Sequence, residues 1–308
     1  MEWKKLGQFF VSEPGSIYTH AMFPVVEVLD ESQGYIRVYY THRDKDNYGF
    51  PSYLEAKIAG ESHRVVYNHD EPIIAHATLG HFDDSGVNPT SIVKTEQGTL
   101  LYYYGWNLGV TVPFRNSIGV ARQKKDSVFF ERLFPGAILD RSKDFPHLCA
   151  TPYVLAEDNL YKMWFASGDP WIIVDGKPQV ACHVGYAESH NGIDWVRQIA
   201  PAVASGTAGD HVVSTPCVKK DVDMYRMWYS YRGAKYRIGY AESYDGKTFT
   251  RKDDETGLTV SDSGWDSDMV CYPCVFDLQG RRYMLYCGNA YGKTGIGLAM
   301  LENGFPNG

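Results

Sequence analysis

One short phrase recurs five times in this chain, each copy built on a proline among strand-forming residues: MFPVV, NPTSIV, ATPYVL, STPCVK and YPCVFD. The prolines are Pro24, Pro89, Pro152, Pro216 and Pro273, separated by 65, 63, 64 and 57 residues. A near-constant period of this length points to one supersecondary unit copied along the chain, the copies packing together to share a core. The copies use nearly all of the 308 residues, so one repeat domain over residues 1–308 is expected rather than two globular ones.

Each copy reads as four short strands. The fourth is the clearest: TPCVKK, MYRMWYSY, YRIGYAES and KTFTRKD, with polar turns between. Tyr, Trp, Val and Ile in short alternating runs favour a pleated, half-buried surface. No stretch carries a sustained helical period. The fifth copy has only three strands, YPCVFD, RYMLYCG and GIGLAML, while the N-terminal MEWKKL resembles the outer-strand phrases near Trp195 and Phe249. The expected fold is therefore an all-β, five-bladed β-propeller, its ring closed by the N-terminal strand pairing into the last blade, which removes sheet edges. The blades are placed at about 18–70, 83–134, 147–199, 211–253 and 268–302 plus 1–10.

Charge and cysteine usage exclude several classes. A net charge of −7 lacks the basic face of a nucleic-acid binder. No apolar run approaches the roughly 18 residues of a membrane span, and the N-terminus lacks the apolar core of a signal peptide. Six cysteines include a single CxxC, Cys271 and Cys274, with no partner pair to complete a zinc pattern. Buried free thiols in a reducing, cytoplasmic setting are expected. The SHNGIDW and SYDGKTF segments read as tight hairpins whose aromatic fills the gap between blades. Glu188 and Glu242, in the two GYAES copies, recur at equivalent places and read as structural.

Pseudo-fivefold symmetry turns equivalent positions into rings. Five residues before the prolines stand Asp84, His147, His211 and Asp268, with Thr19 in the first copy and His20 one step on. The chain holds only ten histidines, so their clustering here marks a candidate centre. Two chemistries suit it: an acid–base site using Asp84, Asp268, His20, His147 and His211, or a divalent metal held by His20, His147, His211 and Asp268. A plain reading, polar residues solvating a channel mouth, stands beside both. Asp266, His81 and Asp83 lie on the same approaches.

A second ring follows the second strands: Arg43, Trp106 and Asn107, Asp169, Tyr231 and Arg232, and Asn289. Forked donors, amides and a flat indole suit a polyhydroxylated or anionic ligand. Arg115, in the insertion LGVTVPFRNS, and the Trp171 loop DPWIIVDGKPQ are placed to fold over it.

Five units, an x-P-x-V inner-strand phrase in most copies and the GYAES-x-(N/D)-G hairpins together resemble the five-bladed glycosidase superfamily of arabinanases, β-xylosidases, invertases, levansucrases and mannoside phosphorylases. The resemblance covers essentially the whole chain and speaks mainly to fold. It implies a carbohydrate-active enzyme, glycoside hydrolase-like, working on a glycosidic or sugar-phosphate linkage in an axial pocket with paired carboxylates. Its partner would be a small saccharide, a glycan or a nucleotide sugar. Those families place an Asp just before the first repeat proline, whereas the residues before the prolines here are Phe23, Asn88, Thr151, Thr215 and Tyr272, none acidic. A metal-dependent enzyme and a non-catalytic sugar-binding propeller therefore remain as alternatives.

Overall fold

A computed structural model of the chain describes residues 1–13, 18–69, 71–207, 209–222 and 224–302. Residues 14–17, Asp70, Ala208, Asp223 and the tail 303–308, all within the expected domain and two of them (Asp70 and Asp223) within expected blades, lie outside the described residues. The chain begins with β1 (Trp3–Phe10) and then runs through four antiparallel meanders. The first is β2 (Thr19–Asp30), β3 (Tyr35–Arg43), β4 (Gly49–Ala59) and β5 (Ser62–Asn68). The second is β6 (Gly86–Thr95), β7 (Gly98–Leu108), β8 (Phe114–Gln123) and β9 (Phe130–Arg132). The third comprises β10 (Cys149–Glu157), β11 (Leu160–Gly168), an inserted hairpin of β12 (Ile172–Val174) and β13 (Lys177–Gln179), then β14 (Cys182–Ser189) and β15 (Val196–Arg197). The fourth is β16 (Val212–Lys220), β17 (Tyr225–Arg232), β18 (Tyr236–Ser243) and β19 (Thr250–Arg251).

A last sheet holds β20 (Cys271–Leu278), β21 (Arg281–Cys287) and β22 (Ile296–Leu301), and its fourth strand is β1, with Trp3 opposite Leu301. The N-terminal segment thus completes the C-terminal sheet. First strands pack on first strands: β2 against β6, β6 against β10, β10 against β16, β16 against β20, and β20 back against β2.

The repeated glycine of the third strands has a packing cause. Gly119, Gly185, Gly239 and Gly297 sit directly opposite Tyr103, Phe165, Tyr229 and Tyr286 of the second strands. A Cβ on Gly119 would stand 2.4 Å from the Tyr103 ring, and one on Gly239 would stand 2.5 Å from that of Tyr229. The aromatic therefore lies across bare backbone. Three of these phenols end on buried or half-buried carboxylates: Tyr103 on Asp83, Tyr229 on Asp253 and Tyr286 on Asp266. A cation from the outer strand closes each set, namely Arg132 on Asp83, Arg251 on Asp253 and Lys5 on Asp266. Asp83 and Asp266 are accordingly framework groups.

The hairpins behave as their sequences predict. Tyr102 of the second meander donates to the Gly192 carbonyl (3.0 Å) and packs on Trp195. Trp164 of the third meander donates to the Gly246 carbonyl (2.8 Å) and packs on Phe249. Each turn is thereby fastened to the neighbouring meander. Glu188 accepts from the Tyr186 hydroxyl and pairs with Lys247, while Glu242 accepts from Tyr240 and pairs with Lys252, so both are structural. All six cysteines are free thiols, five of them buried. Among the described residues no helix is long and apolar enough to cross a membrane.

Candidate functional site

Proline decides where side chains turn inward. Proline has no N–H to give the ladder, so within a sheet it falls at bulges or edges. Each first strand breaks register beside its repeat proline: between Met22 and Val25, Pro89 and Ser91, Ala150 and Tyr153, Ser214 and Cys217, and Cys271 and Cys274. Four of the five residues directly before these prolines take left-handed backbone: Phe23 (φ 54°), Thr151 (45°), Thr215 (51°) and Tyr272 (56°). Such conformations cost of order 1 kcal/mol or more for residues with a Cβ and gather at functional sites. Bulges re-aim side chains. Here all five pre-proline residues line one cavity of about 510 Å³.

Its walls come from the ends of the second strands and from insertions. Arg43 ends β3, and its guanidinium donates to Asn47 Oδ1 (2.9 Å) in the following turn. Trp106 of β7 lies over glycine backbone; a Cβ on Gly86 would stand 1.9 Å from its indole nitrogen. Arg232 ends β17, its guanidinium 5.2 Å from the centre of the Tyr236 ring. Phe114 and Trp171, one from each insertion, meet edge to face at 5.4 Å and line the cavity. The inserted segments therefore reach the site as expected, although Arg115 itself is exposed and does not line it.

Several lining groups lack partners. Asn88 is 2% exposed and its Nδ2 donates to nothing; Thr215 is 7% exposed and its hydroxyl is unpaired. Arg232 Nε and Asn116 Oδ1 are likewise buried and unsatisfied. A buried polar group without a partner costs about 1–3 kcal/mol, and a concentration of them at one cavity is the signature of a place prepared for polar ligand atoms. Asp46, on the β3–β4 turn, is the only acid among the described residues that line it.

The histidine–aspartate ring of the sequence does not line this cavity. Asp84, His147, His211 and Asp268 all precede the first residue of their strands and lie in the approach loops. Asp84 accepts from the Gly80 amide and the Ser85 hydroxyl (both 2.8 Å), capping its own loop. Asp268 is half-exposed and pairs with Lys235 at 3.0 Å. His147 is half-buried beside Gly168. His211 stands 3.4 Å from an Arg232 nitrogen, and burial together with that guanidinium lowers its pKa. His20 is half-buried; burial first, then Arg43 and Lys293, depress its pKa to about 4. Among the described residues no group of three or more His, Cys, Asp or Glu side chains comes together, so the expected metal set His20, His147, His211 and Asp268 is not assembled. Counting back five residues presumes an unbroken ladder, and the bulge breaks it.

The second ring is divided. Arg43, Trp106 and Arg232 line the cavity, whereas Asn107, Asp169, Tyr231 and Asn289 do not. Asp169 accepts from His183 (2.8 Å), Tyr231 lies beneath the Arg251 guanidinium, and Asn289 accepts the amides of Asp268 and Met269. The residues that sequence reasoning passed over are Asn88, Thr215, Asn116, Gln179 and Asp46. Position was the available signal for the first two, which directly precede repeat prolines.

No family model matches the chain. Two proteins of Mycobacterium tuberculosis are similar along the whole length: Uncharacterized protein MT1551 of strain CDC 1551 / Oshkosh, 39% identical, and Uncharacterized protein Rv1502 of strain ATCC 25618 / H37Rv, 38% identical. Each match covers 98% of this chain and 100% of the relative. Among solved structures, the neighbours are glycoside hydrolases of propeller type. BT0996, solved as an RGII complex, superposes with a TM-score of 0.74 at 18% identity, covering 99% of this chain and 93% of that one. A thermostable family-43 glycoside hydrolase gives 0.65 at 13%, covering 96% and 94%. The Bombyx mori GH32 beta-fructofuranosidase BmSUC1 gives 0.63 at 12%, covering 96% of this chain and 61% of that one. At these identities the likeness is one of fold.

Proposed function

We propose that this chain, which belongs to the family of the Mycobacterium tuberculosis proteins MT1551 and Rv1502, is a glycosidase-like, carbohydrate-active enzyme with its saccharide in the 510 Å³ cavity. The architecture underlying this reading is a single five-bladed propeller in which β1 closes the ring. It is supported by five four-stranded units and by first strands that pack in sequence from β2 back to β2. The cavity then lies on the axis, where all five copies contribute one pre-proline residue. That convergence is the observation carrying the proposal.

The chemistry suits a sugar. Trp106, Trp171 and Phe114 offer flat apolar faces to a pyranose or furanose ring. Asn88, Thr215, Asn116 and Arg232 present unsatisfied donors and acceptors to hydroxyls. A two-carboxylate scheme needs acids on both sides of the linkage, and the five pre-proline positions supply none. Acid–base work at a glycosidic or sugar-phosphate linkage falls to Asp46, with Arg43 and Arg232 stabilising negative charge that develops there. The histidines of the approach loops do not line this cavity.

The test is a binding titration of neutral and acidic mono- and disaccharides on the full chain and on Trp106→Ala. Saccharide binding that Trp106→Ala weakens at least tenfold supports the reading. Binding unaffected by Trp106→Ala would move the site elsewhere.

A further inference from the structure

We propose that the saccharide taken by this cavity carries an anionic group, a carboxylate or a phosphate, held between Arg43 and Arg232. This rests on the cavity being the saccharide site. Five arginines of the framework are neutralised in place, and the partly buried Arg122, Arg197 and Arg237, which pair with no carboxylate among the described residues, do not line the cavity. Arg37 pairs with Glu55, Arg132 with Asp83, Arg226 with Asp221, Arg251 with Asp210 and Asp253, and Arg282 with Asp221 and Asp277. Among the described residues Arg43 and Arg232 have no carboxylate partner, although both are partly buried.

What they do touch carries no negative charge. Arg43 donates to the Asn47 amide oxygen; Arg232 reaches Gln179 Oε1 and His211 Nε2 only at 3.4 Å, and its Nε has no acceptor at all. A guanidinium is a rigid fork of five donors matched to a carboxylate or phosphate. Leaving two of them uncompensated at one cavity is costly unless an anion arrives.

Two of the three remaining orphans can donate. Asn88 Nδ2 is a donor, and the Thr215 hydroxyl is free to donate; both are more than nine-tenths buried. With Arg232 Nε they make a donor-rich wall, whereas Asn116 Oδ1 is the one orphaned acceptor and Asp46 the one carboxylate among the described lining residues. An acceptor-rich ligand answers that imbalance, and a neutral sugar, whose hydroxyls donate as readily as they accept, does not.

Local potential agrees. The chain as a whole carries −7, yet the cavity holds two arginines against one aspartate. Arg43 helps depress His20 and Arg232 helps depress His211, each after burial, so both imidazoles stay neutral and leave the guanidiniums as the charged groups. Low-dielectric walls of one sign concentrate an oppositely charged ligand.

The experiment is calorimetric titration of the full chain with glucose, galactose and mannose, with glucuronate and galacturonate, with glucose 6-phosphate and mannose 1-phosphate, and with inorganic phosphate. At low salt at least one anionic sugar binds tenfold or more tightly than its neutral parent, and raising the salt weakens it. The uronate and phosphate arms tell which anion is meant. Arg232→Gln and Arg43→Gln each reduce the preference below threefold, while Arg232→Lys, which keeps the charge and loses the fork, retains part of it. Thermal unfolding of each variant confirms an intact fold. Equal affinity for charged and neutral sugars in the native chain overturns the anion subsite and leaves the saccharide site standing. Inorganic phosphate bound through both arginines with no sugar bound supports the anion subsite and overturns the saccharide reading. No binding of any probe overturns both.

Discussion

Phe23 and Tyr272 stack with ring centroids 4.1 Å apart and planes inclined by 26°. One stands in the first meander and the other in the last, each directly before a repeat proline and each in left-handed backbone. The two rings, with Thr215, line both the 510 Å³ cavity and a second one of about 210 Å³ behind it. The second cavity is walled by the residues that follow the prolines, including Tyr153, Cys217 and Cys274. The stacked pair thus stands between the two cavities, formed where the first and last meanders meet.

Phe23→Ala removes that stack. A buried phenylalanine truncated to alanine costs about 3–5 kcal/mol, and the lost ring pair is part of that sum. The expected result, read from urea unfolding, is a loss within this range with the sheets intact by circular dichroism. Tyr272→Phe keeps the stack and costs far less.

Asp83 predicts a framework phenotype. It is fully buried, accepting from Arg132 Nε at 2.7 Å and from the Tyr103 hydroxyl at 3.1 Å. Asp83→Ala strands a guanidinium in the interior, a change that costs about 3–5 kcal/mol. The stability loss is measured by denaturant unfolding. A variant within about 0.5 kcal/mol of the native chain, the scatter of an ordinary surface substitution, would contradict the role.

Much of the fold is legible in the sequence because its signals are local. The repeated proline phrases locate the five first strands, and MEWKKL reads as the partner of the last sheet, as Trp3 opposite Leu301 shows. Arg43, Trp106 and Arg232 are legible too, since they end regular second strands where counting residues tracks direction. Counting fails across the bulge. Left-handed backbone at Thr215 or Tyr272 leaves no mark in the sequence, so counting assigns to the cavity His147, His211, Asp84 and Asp268, whose side chains do not line it. The empty donor of Asn88 is a property of its surroundings and has no sequence signature.

Acid–base work on Asp46 separates the two carboxylate sets. With a saccharide substrate identified by titration, Asp46→Asn lowers kcat by about a hundredfold or more, in the range general acid–base groups contribute, with Tm unchanged. Asp268→Asn and Asp84→Asn change kcat less than threefold. The reverse pattern would return catalysis to the approach loops.

Stability should fall on mild acidification. His20 has its pKa depressed to about 4, chiefly by burial and then by Arg43 and Lys293. Between the unfolded value near 6.5 and about 4 the unfolded chain binds a proton that the native chain does not, so stability drops as pH falls through that window. His211, also depressed, contributes with the same sign. His20→Gln flattens the dependence, which chemical denaturation across a pH series from neutral down to the native pKa reads directly.

The most direct test is a crystal structure of the chain soaked with the saccharide that titration selects. A sugar oxygen within hydrogen-bond distance of Asn88 Nδ2 and the Thr215 hydroxyl, with its ring against Trp106, is the result expected. A sugar held instead by Asp84, His147 and Asp268 at the strand mouths, with the cavity beneath the pre-proline residues left to solvent, would contradict it.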